Sequence, residues 1–157
     1  MPKDSFVIIL PNIRSCHNVG AMFRTADGAG VNKLYLTGYT ACPPHPQLDK
    51  VSLGAEKWMS WEHKTNTVPL IKKLKAEGYA VVALEKTKKS VNIYTWQPTT
   101  PVALIVGNEV DGVSPAVLKF CDYVVHLPMH GQKNSLNVSV AAGAAMYYIS
   151  SEIYPNN

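Results

Sequence analysis

The run Val102-Ala103-Leu104-Ile105-Val106 constrains this chain more than any other feature. It is a short stretch of small and β-branched apolar residues without polar alternation, so a strand built from it must be covered on both faces. Such strands belong to parallel sheets flanked by helices, and this one is expected near the centre. The rest of the chain alternates accordingly. Ser5 to Leu10 is an apolar strand ended by Pro11-Asn12. His17 to Ala26 is a helix with Met22, Phe23 and Ala26 on its apolar face, and Gly28 and Gly30 can take the left-handed conformation that stops it. Lys33 to Leu36 is a second strand, and Cys42-Pro43-Pro44-His45-Pro46 is expected as a surface loop, too rich in proline to continue a strand or a helix. Thr67 caps a helix running through Leu70, Ile71 and Leu74 to Gly78, followed by a strand from Tyr79 to Leu84. Ser114-Pro115 opens a short helix to about Lys119, Tyr123 to Leu127 returns as a strand, and Val138 to Glu152 is the last helix. The predicted fold class is α/β, a mostly parallel sheet with helices on both faces.

A chain of 157 residues is expected to be a single domain, 1–157, and is long enough to bury one continuous core. With 46% apolar and only 17% charged residues it is neither disordered nor a coiled coil. A net charge of +4 permits contact with a polyanion without demanding it. Cys16, Cys42 and Cys121 are scattered and odd in number, which argues against a disulfide framework and for a reducing cytoplasm. The histidines, His17, His45, His126 and His130 among them, form no compact ligand set with these cysteines, so no metal is expected. No apolar run reaches the ~20 residues that span a bilayer, and no membrane partner is expected.

The chemistry gathers at three strand exits, the place where open α/β sheets bind ligands. The first carries Asn18-Val19-Gly20 through Arg24-Thr25-Ala26, the second Ile105-Val106-Gly107-Asn108-Glu109 and on through Val110-Asp111-Gly112-Val113-Ser114, and the third Leu127-Pro128-Met129 and Ser135-Leu136-Asn137-Val138-Ser139. The first strand lacks the G-x-G-x-x-G of a dinucleotide-dependent oxidoreductase, and the chain has no G-x-x-x-x-G-K-[ST] of a P-loop NTPase.

Taken together and in this order, the three segments resemble the SpoU (TrmH-type) family of RNA ribose 2'-O-methyltransferases within the SPOUT superfamily. The resemblance covers nearly the whole chain and implies a single SPOUT methyltransferase domain, 1–157, with no added RNA-binding domain of the kind many relatives carry. It implies a deep C-terminal trefoil knot, a homodimer with catalytic residues near the subunit interface, and S-adenosylmethionine as cofactor. It places Leu84, Gly107, Leu127, Met129, Ser135 and Leu136 around the cofactor. At Gly107, a side chain is expected to fill the space through which the adenosyl group approaches the main chain. It assigns catalysis to Arg24, with Asn18, Glu109, Ser135 and Asn137 positioning the reacting hydroxyl or the substrate. Asn137 is at the same time an N-cap for the last helix, and Glu109 a support for its own loop.

A literal general base at Arg24 requires a neutral guanidinium, which is costly for a group with a pKa above about 12. The favoured route has Arg24 clamp the neighbouring RNA phosphate, with that phosphate or a water accepting the proton. Arg14, Lys86, Lys88 and Lys89, with Lys50 and Lys64, are candidates for phosphate contact, and Trp58, Trp61, Tyr94 and Trp96 for base stacking. Transfer RNA is the first expected substrate and ribosomal RNA the second. The alternative is a non-catalytic RNA-binding protein that keeps the fold and the pocket.

Overall fold

The structure, a computed structural model, describes residues 4–155. Seven strands form one parallel sheet: β1 (Phe6–Pro11), β2 (Lys33–Thr37), β3 (Ser60–Lys64), β4 (Ala80–Leu84), β5 (Val91–Asn92), β6 (Val102–Ile105) and β7 (Tyr123–His126), in the order β3-β2-β1-β6-β4-β7-β5. The run at 102–105 is thus the middle strand, with all four residues buried. Phe6, Ile8 and Leu10 of β1 face the core layer under α1 (Cys16–Ala29), α2 (Pro46–Ser52) and α6 (Val138–Ile153). Val7 and Ile9 face the opposite layer, under α4 (Thr67–Ala76) and α5 (Pro115–Leu118). That alternation on a strand without polar residues is what a sheet covered on both sides requires.

Ser15 caps α1, its hydroxyl accepting from the Asn18 N–H at 3.2 Å. Gly30, at φ 79°, ends that helix in the left-handed conformation, whereas Gly28 lies inside the last turn and has no such part in stopping it. The α4 cap position falls on Asn66, and Thr67 is already the first helical residue. Ser114 and Pro115 open α5 as expected.

Four elements depart from the sequence reading: α2, β3, β5 and a short helix, α3 (Ala55–Trp58). Pro46 does not sit in a loop but begins α2, where its missing N–H is no loss, and the His45 ring accepts from the Gln47 N–H at 3.2 Å to cap the helix. The strand β3 has no apolar signature because it is an edge. Its Glu62 pairs with Lys33 of β2 at 2.8 Å and with Lys64 at 2.7 Å, a charged finish that discourages further strand pairing. The short helix α3 leads into it.

Candidate active site

Leu84, Ile105 and His126 end β4, β6 and β7, which lie side by side although the sequence separates them widely. Beyond their carboxyl ends opens a cleft of about 470 Å³. Leu84, Gly107, Leu127, Met129, Ser135 and Leu136, the residues assigned to the cofactor, all line it. So do Glu109, Asn137 and Lys86. Val106, Val138 and Ala141 add apolar wall. Size and lining suit a small ligand with one flat apolar part and several polar groups.

The three motif loops are stitched together by one polar chain. The Glu109 carboxylate accepts from the main-chain N–H of Arg14 and of Ser15, both at 2.8 Å, and from the Asn18 amide at 3.0 Å. Asn18 in turn accepts from the Asn137 amide at 3.4 Å. The Asn137 Oδ1 caps α6 by accepting from the N–H of Ser139 at 2.9 Å and of Val140 at 3.4 Å. Partial burial works against ionisation of Glu109, but the two main-chain donors and the Asn18 amide outweigh it and hold the carboxyl below its ordinary range. The negative charge sits at the amino end of α1, where the helix dipole favours it. Glu109 and Asn18 thus hold the three motif loops to one another.

Gly107 lines the cleft for a different reason from the one expected. A Cβ there would meet the Gly112 carbonyl carbon at 2.6 Å and its Cα at 2.8 Å, so the glycine is required by its own loop, closed by the paired bridge between Asn108 and Gly112. The cleft is bounded by main chain at this point because the loop doubles back behind it.

Arg24 does not reach this cleft. It is exposed on α1, six residues beyond Asn18, beside Thr25, Gly28 and the exposed Tyr147 of α6. Arg14 is exposed next to Glu109, and Lys88 and Lys89 are exposed in the loop that leaves β4. Of the aromatic residues, Trp96 is buried, Trp61 packs on the core, Trp58 bonds Asp27 at the amino-end edge of the sheet, and Tyr94 stands edge-on to Tyr148.

Sequence reasoning missed Glu85 and His126, which also line the cleft. Glu85 accepts from the Val113 N–H at 2.9 Å and ties the β4 exit to the Gly107–Gly112 loop. His126 is 2.9 Å from the Ser90 hydroxyl, fastening the Lys86–Lys89 loop to the cleft wall. Direct succession to Leu84 and precedence to Leu127 were the available signals. Among the described residues no helix is long and apolar enough to cross a membrane, and no group of three or more His, Cys, Asp or Glu could hold a metal ion.

A parallel sheet in this strand order, with the cleft at the ends of β4, β6 and β7, defines a protein of the SPOUT methyltransferase fold. The model of the SpoU rRNA Methylase family matches residues 5–147, and the chain belongs to that family. It is 37% identical to the tRNA (guanosine(18)-2'-O)-methyltransferase of Aquifex aeolicus over 92% of its own length and 68% of the relative's. The crystal structure of the A. aeolicus TrmH/SpoU tRNA modifying enzyme superposes with a TM-score of 0.86 at 33% identity, covering 98% of this chain and 77% of that one. An AdoMet-bound rRNA methyltransferase from Sinorhizobium meliloti superposes at 0.87 with 28% identity, over 96% and 57% of the two chains. The chain spans 58–60% of the length of the next four curated relatives.

Proposed function

We propose that this protein methylates a ribose 2'-hydroxyl in RNA, with S-adenosylmethionine as methyl donor and transfer RNA ahead of ribosomal RNA as substrate. The observation that carries this reading is the cleft: six residues assigned to the cofactor from three distant segments line one cavity, beside the Glu109–Asn18–Asn137 chain. Leu84, Leu127, Leu136 and Val106 would hold the adenosyl part, and Ser135, Asn134 and main chain of the Gly107 loop its polar edges. When bound, the cofactor supplies an electrophilic methyl group. The chain's own task is alignment of the hydroxyl and disposal of its proton.

In this reading Arg24 clamps a phosphate in two-point fashion, although it stands outside its own chain's cleft. The reading therefore includes a homodimer in which Arg24 of one protomer serves the cleft of the other. Tyr147, exposed beside Arg24, and Val140, exposed seven residues earlier on α6, would give that contact apolar area. The reading also includes the C-terminal knot of the family and a cytoplasmic location.

The test uses wild type and R24A with methyl-labelled S-adenosylmethionine and separated tRNA and rRNA, followed by alkaline hydrolysis. Label in alkali-resistant dinucleotides is expected from wild type, and loss of label with retained cofactor binding from R24A. Label released as modified nucleotides overturns the ribose assignment. Cofactor binding without any transfer to either RNA favours the non-catalytic binding protein. Co-expressed R24A and G107V should regain label through the one intact composite site of the mixed dimer. A phosphorothioate at the neighbouring phosphate should slow transfer strongly, and an unchanged rate removes the clamp.

A further inference from the structure

Three strand exits converge on Asn12, Tyr39 and Asn108, at the edge of the cleft. Asn12 follows β1 in the left-handed region at φ 51°, a conformation that asparagine tolerates better than most side chains. From that position its N–H donates to the Thr37 carbonyl at 3.1 Å, its side-chain oxygen accepts from the Tyr39 N–H at 3.1 Å, and its carbonyl accepts from the Asn108 amide at 2.7 Å. The same Asn108 amide donates to the Tyr39 phenolic oxygen at 3.1 Å. The Asn108 Oδ1 accepts from the N–H of Val110 at 2.8 Å and of Asp111 at 2.9 Å. Behind the turn, the His63 ring lies 2.9 Å from the Gly38 carbonyl.

Tyr39 is thus held at both ends, by its main-chain N–H and by its hydroxyl, yet it is 62% exposed. An ordinary surface tyrosine leaves its hydroxyl to water and its ring free to turn. Here the hydroxyl is tied and the ring is the part left open, an apolar face of fixed orientation at little further cost in entropy on binding. Its position is equally specific. Asn108 lines the cleft while Tyr39 does not, so the ring stands on the rim and is separate from the cofactor's own walls. Arg14 is exposed on the same rim, next to Glu109, and Lys86 lines the cleft. An open aromatic face at the β2 exit, with cations at the adjacent β1 exit and at the β4 exit, suits a planar π-system carried on a polyanion.

We propose that Tyr39 is a stacking platform for an unpaired nucleobase of the RNA at the mouth of the cleft, an inference that rests on the RNA reading above. The platform replaces Trp58, Trp61, Tyr94 and Trp96 as the stacking residue: of these only Tyr94 also follows a strand with an exposed ring, and it stands after the edge strand β5, edge-on to Tyr148, whereas Tyr39 has its hydroxyl tied to Asn108.

The experiment compares wild type, Y39F and Y39L for affinity to unmodified tRNA transcripts by filter binding, for S-adenosylmethionine affinity by calorimetry, and for oligomeric state by sedimentation. Base stacking on one aromatic ring predicts that Y39L binds RNA about 5- to 150-fold more weakly, with Y39F within about twofold of wild type. Both variants should keep the cofactor affinity and the sedimentation of wild type. Irradiated 5-bromouridine transcripts should crosslink to Tyr39 in wild type. Tight RNA binding by wild type with no loss in Y39L, or crosslinks mapping elsewhere, overturns the platform and leaves the RNA reading standing. A loss of RNA binding that tracks a changed sedimentation in Y39L overturns it in favour of a ring buried between copies. Wild type that binds the cofactor and no RNA overturns both.

Discussion

Replacing Glu109 by glutamine tests whether the three motif loops are held together by charge. The carboxylate accepts three hydrogen bonds, from the N–H of Arg14 and Ser15 and from the Asn18 amide. Glutamine keeps one oxygen and turns an NH2 group toward a main-chain donor. Removing a charge from a helix start costs about 0.3–1 kcal/mol. A stranded N–H costs about 1–3 kcal/mol, at the low end here because the Arg14 bond is open to solvent. Together E109Q should lose about 1.5–3 kcal/mol, read from urea unfolding at pH 7. The sign of its pH dependence follows from the lowered folded-state pKa. The carboxylate contributes stability above its ordinary value of 4.5, and this is lost as pH falls through the folded value. The gap between wild type and E109Q should therefore be full at pH 7 and narrow progressively below 4.5. A deficit under about 0.5 kcal/mol at pH 7, or a gap that does not change with acid, refutes the reasoning.

Asn137→Ala should destabilise the fold by about 1 kcal/mol, as expected for loss of an N-cap, and Asn137→Asp should restore thermal stability through the same cap. Equal melting temperatures for all three would sink this. Gly107→Ala forces the 107–112 loop away from Gly112 and should weaken S-adenosylmethionine at least tenfold by calorimetry, or about 1.4 kcal/mol; an unchanged affinity means the loop yields without moving the cleft. Burial first, and then Asp122, pushes the Cys121 thiol up to about 11. In C16S/C42S the remaining thiol should be alkylated about a hundredfold more slowly at pH 8 than a free cysteine, with the rate rising about tenfold per pH unit. A rate close to that of free cysteine contradicts its burial.

The interior was legible because its physics is local. Val102 to Ile105 shows two-sided burial in its composition, and Ser114-Pro115 and Asn137 show helix starts in their side chains. The polar margin was not. Strand β3 is defined by pairing with β2 and by Glu62 between two lysines, and nothing in Ser60-Trp61-Glu62-His63-Lys64 alone distinguishes it from a loop. Pro46 was misleading because proline opposes a helix everywhere except in its first turn, and position within a helix is what a local reading lacks. The cleft residues were found through family motifs; their proximity came from tertiary order, since β4 lies between β6 and β7 and brings Leu84 beside residues that follow it by more than twenty positions.

The motif residues divide by what they touch, a division their spacing does not show. Glu109 and Asn18 spend their polar atoms on each other, on the start of α1 and on Asn137. Their removal should loosen the cleft before it affects any proton. Ser135 and Leu136 are exposed at the cleft mouth, and Leu136 keeps an apolar side chain in water at 43% exposure, the state of a wall waiting for a flat partner. Arg24 belongs to neither set. A helix of 14 residues carries Asn18 and Arg24 six positions apart, about 240° around the axis, so the one helix presents them in different directions. In the proposed dimer one motif would therefore serve two clefts, Asn18 bracing its own and Arg24 reaching the partner's, so that the contact between protomers would itself set the catalytic geometry.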